Sequence, residues 1–570
     1  MGKAAALGGS NRPKNVQWSV GVFGAACVQG EVRNTGDLVE RDRNPNTLSG
    51  VARLGVGGAH GTDEAGNERG GTEPWFRVLR KEWTSGRLVM SLTAQTKLEE
   101  FREKLYVKAK TEPAYRFYVL YDKIHRWDTL VEALRQSKSK RGAAGVDGQS
   151  FEDIEKYGEA RWLKELQEQL QGKTYRPQAV RRVLIPKPGG GERPLGIPTI
   201  RDRVAQTAAK LILGPIFEAD LRDEAYGYRP GRGAVQAVQE VHRELARGKT
   251  EVLDADLSKY FDTIPHAELM KCLARRIADG AVLSLIKMWL KVPVEQRDEK
   301  GRPRYSGGKG SKQGTPQGGV ISPLLANIYI NRLLKVFAAS GLERKHGARI
   351  ISYADDFVVV SRKGAAEVLT QVRRWLEGLK LTLNDTKTRI VDAKAENFRF
   401  LGYELGPMMN KRTQRRYLGV RPSKKAKEHI RAKVSKALRR GRTERWEVIR
   451  DELNGMLRGW ANYFAYGSPY VTFRLVDIHV AERVRNLLRR RHKLPRATSR
   501  FGYNEVHGSL GVIEVRPPLD ACLHVKPVRE LDAGNPHVQF DEGVAETDRG
   551  YDSARSTPRE RVIAAGAAKP

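Results

Sequence analysis

Apolar residues recur at three- and four-residue spacing from about Thr93. Leu98, Phe101 and Leu105 form one stripe, Phe117, Leu120, Tyr121 and Ile124 a second, and Leu130 and Leu134 a third. This spacing predicts amphipathic helices. A loop containing AAGVDG (143–148) follows, and Trp162, Leu163, Leu166 and Leu170 mark another helix. Between 180 and 405 short β-rich apolar runs alternate with helical stretches, which predicts a mixed α/β region. From about 423 to 493 the pattern is helical and basic throughout. Residues 1–71 hold 15 glycines, and VRPP (515–518) opens a Pro- and Gly-rich tail, so both ends are expected to be poorly ordered. The expected division is a Gly-rich extension over 1–90, an α/β domain over 91–405, a basic helical domain over 406–515 and a disordered tail over 516–570.

Charge sharpens this picture. The 570 residues include 102 Lys+Arg against 67 Asp+Glu, a formal net charge of +35. Such an excess makes a polyanion the default partner, because neutralising phosphates releases counterions. Leu401 to Arg500 carries 26 basic and 8 acidic residues, about half the surplus. The rival reading is a solvated basic surface kept for solubility. Interleaved aromatics (Tyr417, Trp446, Trp460, Tyr463, Phe464, Tyr466) either pack a core or stack on bases, and most are expected in the core. No run approaches the ~18 apolar residues of a membrane span. Met1 to Ser10 shows no leucine-rich secretory core. Cys27, Cys272 and Cys522 are too dispersed for a disulfide framework or a paired zinc site, so a cytoplasmic setting is expected.

Two acidic segments carry candidate chemistry. In RIISYADDFVVVSR (349–362), apolar runs at Ile350–Tyr353 and Phe357–Val360 flank Asp355 and Asp356, which reads as a hairpin with two carboxylates at or beside its turn. In EVLDADLSKYFDTIPH (251–266), a strand-like segment places Asp254 and Asp256 on one face. Taken alone, an Asp-Asp pair is equally consistent with a plain surface turn. Carboxylates ending apolar strands are costly unless paired, however, and a divalent cation is the economical partner. Mg2+ takes hard oxygen ligands, typically one or two protein carboxylates plus substrate phosphates. A helix cap is the other rival, but Phe357–Val360 reads as strand.

With these residues in view, the chain resembles bacterial group II intron-encoded reverse transcriptase/maturases. Tyr353-Ala354-Asp355-Asp356 matches the YxDD box of reverse transcriptases. AAGVDG (143–148) is similar to the family's N-terminal extension block, and RRVLIPKPGGGERPLGIPTIRDRVAQ (181–206) and AYGYRPGRGAVQAV (225–238) to its first two finger blocks. DADLSKYFDTIPH (254–266), GTPQGGVISPLLANIYIN (314–331), GLKLTLNDTKTRI (378–390) and FRFLGY (398–403) resemble later blocks in the expected order, and LNGMLRGWANYF (453–464) resembles the thumb, or domain X. The resemblance covers about 95–515. It implies a right-hand polymerase of α/β plus α class, with fingers and an antiparallel palm sheet followed by a basic helical thumb/maturase domain.

Carried over to these positions, the resemblance implies that Asp256, Asp355 and Asp356 are catalytic and hold two Mg2+ ions, with Asp254 a neighbour. Phe261 becomes the gate beneath the sugar, where a rigid ring excludes a 2′-hydroxyl. Lys187 and Arg193 become cationic clamps on the incoming dNTP. Gln317 contacts the nucleotide, Lys387 is a candidate proton donor to pyrophosphate, and Arg229 touches the template or supports the fingers. Each has a plainer rival: Lys187, Arg193 and Lys387 as solvated surface, Phe261 as core, Gln317 as bonding its own turn. Lys424, Lys425, Lys427 and Arg431 are the candidate RNA contacts.

The implied function is RNA-directed DNA polymerisation from a primer 3′-hydroxyl, with intron RNA binding, maturase-assisted splicing and retrohoming into target DNA. The implied partners are intron RNA, an RNA template with a DNA primer, target DNA and dNTPs, and no membrane. After Arg500 stands only Cys522, with no Cys-x-x-Cys pair, so the Cys-rich HNH endonuclease common in the family is expected to be absent. Alternatives are a free-standing reverse transcriptase recruited to host duty such as phage defence, and a catalytically dead RNA-binding splicing factor. Sequence leaves oligomeric state, intron identity and target site open.

Overall fold

A computed structural model describes residues 89–516 apart from 187–190, 317 and 411–412. The expected Gly-rich extension up to residue 88, the tail from 517 on which the expectation about a nuclease rests, and the candidates Lys187 and Gln317 lie outside the described residues. Among those described, no helix is long and apolar enough to cross a membrane.

The first helix, Val89–Thr111, buries Leu98 and Leu105 as the spacing predicts. The second stripe departs from expectation. Only Tyr121–Ile124 is helical, and Phe117 instead forms a bridge with Ile277. Pro113 has no N–H to donate and shifts the residue before it out of the helical region, so a helix is interrupted there. Trp127–Ser139 and Glu159–Gln171 follow, then Ile200–Glu218, a helix buried along nearly all its length. Thr199 caps that helix by accepting from the Asp202 N–H at 3.1 Å.

Strands β1 (Val180–Pro186) and β2 (Glu192–Ile197) form an antiparallel hairpin. Strand β3 (Glu251–Asp256) follows, then the hairpin of β4 (Pro293–Arg297) and β5 (Pro303–Gly307), which joins the first as a sheet of order β2-β1-β4-β5. Strands β6 (Arg349–Tyr353), β7 (Asp356–Ser361) and β8 (Arg389–Asp392) complete a central sheet of order β6-β7-β3-β8. A third sheet comprises β9 (Phe398–Phe400), β10 (Tyr403–Met409) and β11 (Arg416–Pro422). Helices Lys424–Ala437, Trp446–Tyr463 and Tyr470–Arg491 then occupy the basic region.

The central sheet is buried on both faces. Leu253, Ala255, Ile350, Phe357 and Val359 point into one core, shared with helices Ile200–Glu218 and Ser322–Ala339. Val252, Ile351, Val358, Val360 and Val391 point into a second, shared with the third sheet and the basic helices. Burying each such side chain contributes about 1.5–3 kcal/mol. Slipping β3 by one residue would exchange its faces and drive Asp254 into the first core, so the register is firmly specified. The second core also spans the expected boundary, drawing residues from both sides of it. A boundary at 405/406 falls inside β10, whose partner β11 runs to Pro422. The strand pairing was invisible because β11 follows the expected cut.

Arg229 is a second correction. It is 8% exposed, and its guanidinium donates to Glu218 Oε1 at 2.9 and 2.6 Å and to the Arg222 and Ala225 carbonyls at 2.7 Å each. With its fork so engaged it has no face for a template; of the two roles expected, it is the support. Removing it would strand Glu218 in a mostly buried position. Arg229→Ala is therefore expected to lower stability by about 3 kcal/mol in urea unfolding. Arg229→Lys should restore only part of that, because an ammonium cannot reproduce the forked contacts.

Candidate active site

The antiparallel pairing of β3 with β7 sets Asp256 directly opposite Asp356, at the last residue of one strand and the first of the other. Strand β6 pairs Tyr353 with Asp356, leaving Ala354 and Asp355 as the two-residue turn. The Leu257 N–H donates to the Asp355 carbonyl at 3.4 Å, which ties the turn to the end of β3. The three aspartates expected from sequence are thus brought to one end of the central sheet. Asp254 shares their face, but its carboxylate is 3.4 Å from Arg389 Nε of β8.

The turn is held under strain. Ala354 has φ +60°, and Tyr228 and Lys259 beside the site have φ +58° and +46°. Each such conformation costs a non-glycine residue roughly 1 kcal/mol or more, so packing must impose it. The segment before Arg229 does so. Ser352 N–H donates to the Glu224 carbonyl and Tyr226 N–H to the Ser352 carbonyl, both at 2.8 Å, adding an edge to β6. Gly227 then lies against the turn so closely that a Cβ there would stand 2.5 Å from Ala354 N. Asn327 Nδ2 fixes Gly227 from the other side, donating to its carbonyl at 2.7 Å.

Around the carboxylates, Lys387 Nζ donates to Asp256 Oδ2 at 2.7 Å and Asn384 Nδ2 to the same oxygen at 3.3 Å. The Lys387 pKa is raised, chiefly by that hydrogen bond. Asp355 is pushed up by burial and by Asp256, against the opposing pull of Arg193 and Lys387. Asp356 is pushed up to about 7 by crowding that strips its hydration, then by Asp355 and Asp256, whose carboxyl lies within hydrogen-bonding reach. Phe261 is half-buried on the short helix Tyr260–Thr263 and packs against the first core. Its ring meets Tyr228 edge-on at 6.2 Å and Tyr260 at 5.7 Å.

Among the described residues, no group of three or more His, Cys, Asp or Glu is placed to hold a metal ion by itself. The donor set nevertheless suits a divalent cation. Three carboxylates crowd together, two of them with raised pKa values, and the only ammonium bonded to them among the described residues is Lys387. An ion that takes one or two protein carboxylates and completes its shell from substrate fits such an open half-site.

Arg193 of β2 is exposed and near enough to act on Asp355 and Tyr228, so the site gathers it too. Lys424, Lys425 and Arg431 are exposed and Lys427 half-exposed on helix Lys424–Ala437, whose Ile430, Val434 and Ala437 face inward. Among the described residues none of the four forms an ion pair. Sequence reasoning missed Gly227, Tyr228 and Asn384. A glycine and a proline flanking Tyr-Arg in YGYRPG did signal a tight turn, but not what the turn touches.

Comparisons with known proteins identify the family. Residues 185–405 match the profile of the reverse transcriptase (RNA-dependent DNA polymerase) family, and 427–502 match that of the group II intron maturase-specific domain. Protein YkfC of Escherichia coli K12 is 34% identical over 370 residues, covering 58% of this chain and 94% of that protein. The group II intron-encoded protein LtrA of Lactococcus lactis subsp. cremoris is 28% identical over 352 residues, 51% of this chain and 57% of that one. The chain thus spans nearly all of the first relative and somewhat more than half of the second. A chain of a solved Cas6-RT-Cas1–Cas2 complex is similar at 23% identity and TM-score 0.28 over 45% of this chain and 42% of that one, too slight a likeness to carry argument. The chain belongs to the group II intron-encoded reverse transcriptase/maturase family, with an RNA-directed DNA polymerase domain followed by a maturase-specific domain.

Proposed function

We propose that the chain extends a DNA primer on an RNA template with Mg2+ at Asp256, Asp355 and Asp356, and that its basic helices bind intron RNA and assist splicing. The observation that carries this reading is the register of β3 and β7, which stands Asp256 across from Asp356 with Asp355 in the adjoining turn. In right-hand terms the α/β region over 91–405 acts as fingers and palm, and residues from 424 onward as thumb and maturase domain. Retrohoming would use target DNA to supply the primer.

The residues divide the work by position. Bound Mg2+ supplies the acidity that activates the primer 3′-hydroxyl and the charge that stabilises the departing pyrophosphate. Asp256, Asp355 and Asp356 hold it, and the strained turn fixes Asp355 without further reorganisation. Arg193, open to solvent on β2, faces the triphosphate; Lys187 and Gln317 are assigned beside it on the sequence resemblance alone. Lys387 starts on Asp256 and would turn to the phosphates once the carboxylate is otherwise engaged. Phe261, wedged between Tyr228 and Tyr260, presents a fixed ring to the sugar.

Asp355→Ala should reduce primer extension on an RNA template by at least about a hundredfold with the unfolding midpoint unchanged; undiminished extension would remove the site assignment. Gly227→Ala forces a Cβ onto the Ala354 backbone and displaces the turn. Single-turnover extension should then fall roughly a hundredfold, since shifts of about 1 Å have that effect. Reversing Lys424, Lys425, Lys427 and Arg431 to Glu should weaken intron RNA binding and flatten the plot of log K against log salt by about three, near 0.7 for each phosphate no longer neutralised. A slope equal to that of the parent protein would take this helix out of the RNA surface.

A further inference from the structure

Tyr228 is a bulky aromatic in a left-handed backbone conformation, φ +58°, that such residues rarely adopt. Strain of this kind persists only where the surroundings over-determine it. Here both neighbours in sequence are fixed. Gly227 is pressed between the Ala354 turn and Asn327, and Arg229 is locked to Glu218 and two carbonyls. The chain between them has no freedom to relax, and the result is that the Tyr228 ring is carried out beside the site. It stays 44% exposed, an unusual position for a ring held at such cost. Among the described residues its hydroxyl makes no hydrogen bond, so the ring rather than the phenol oxygen is what the fold positions.

That ring stands edge-on to Phe261 at 6.2 Å. Elsewhere Phe261 packs partly against the first core, its carbonyl accepts from Thr315 N–H at 2.7 Å, and Tyr260 lies at 5.7 Å on the buried side, which leaves its outer side to Tyr228. Tyr260 cannot yield, being buried with its hydroxyl bonded to the Ala326 carbonyl at 2.6 Å. Tyr228 is thus the exposed outer member of three rings that meet edge-to-face, and it connects the Phe261 ring to the same turn that carries Asp355. Asp355 and Arg193 are both near enough to influence its phenol, which puts the ring beside the carboxylates.

We infer that Tyr228 is a positioning residue that braces the Phe261 ring and thereby sets discrimination between deoxyribonucleotides and ribonucleotides. This rests on the polymerase reading given above. An edge-to-face aromatic pair of this kind stabilises by an amount equivalent to a few-fold to about tenfold in an equilibrium. Without it the Phe261 ring can swing away from the sugar, and a 2′-hydroxyl is no longer excluded.

The test is single-nucleotide addition to a DNA primer on an RNA template, read as the ratio of kcat/KM for a deoxyribonucleotide to that for the matching ribonucleotide, so that a general loss of rate cancels. Tyr228→Asn removes the ring but tolerates the left-handed backbone, so the fold is not at risk. It should lower the ratio about three- to tenfold, while Tyr228→Phe, which keeps the ring, should hold it within about twofold of the parent. Made in a Phe261→Ala background, Tyr228→Asn should change the ratio no further, because the brace then has nothing to hold. A ratio unmoved by Tyr228→Asn, or moved equally in both backgrounds, overturns the inference and leaves the polymerase reading standing. A parent protein that adds no deoxyribonucleotide at all overturns the polymerase reading, and the inference with it.

Discussion

In the sheet shared by β3 and β7, residue 256 faces residue 356, and the inward or outward direction of every other side chain on both strands follows from that pairing. Alternate residues enter two different cores, so the register is set twice over, once from each face. An ordinary half-exposed sheet has only one face to specify it. The strands are therefore fixed where they end, and they end in carboxylates. A cluster of like charges is held together by apolar burial several residues away, with Lys387 and Asn384 as its local counterweight on Asp256.

The second core ties the parts of the molecule together. Val358 and Val360 of the central sheet pack in the same cluster as Ile430 and Val434 of the first basic helix and Leu453 and Leu457 of the next. Helix Ala234–Ala246 adds a polar link, with His242 Nδ1 at 2.7 Å from the Tyr466 hydroxyl and Nε2 at 3.2 Å from the Leu418 carbonyl. The maturase-specific region is thus packed on the rear of the catalytic sheet rather than tethered to it. RNA held along the exposed Lys424–Arg431 face would be held at a definite place relative to the three aspartates.

What could be read in the sequence divides along a physical line. The hairpin at 353–356 was legible because β-branched runs flank it on both sides, and β3 because its alternation continues into Asp256. The helical, basic character of 424–491 was legible from spacing and charge within short windows. What escaped depends on contacts between distant residues. Arg229 looked like an available cation because Glu218, its partner, lies in the preceding helix, and the strand pairing across residue 405 depends on residues after the expected boundary. Phe117 fell on a helical spacing but was claimed by Ile277, 160 positions away. The left-handed turn at Tyr228 requires Gly227 to meet Ala354, which no local pattern encodes.

Those long-range contacts also explain how strain is sustained around the site. Ala354, Tyr228 and Lys259 are each forced from the preferred backbone regions, and each adjoins the carboxylates or the ring stack. If the site were assembled only from relaxed segments, each would retain alternative conformations, and substrate binding would have to select among them. Strain imposed by packing removes those alternatives in advance: Gly227 presses on the turn, Tyr228 adjoins it in sequence, and the end of β3 bonds to the turn through the Leu257 N–H. The stability spent on three unfavourable backbone conformations is small beside the burial that enforces it. In return, a site made of repelling carboxylates and exposed aromatic surface keeps one geometry before any substrate arrives.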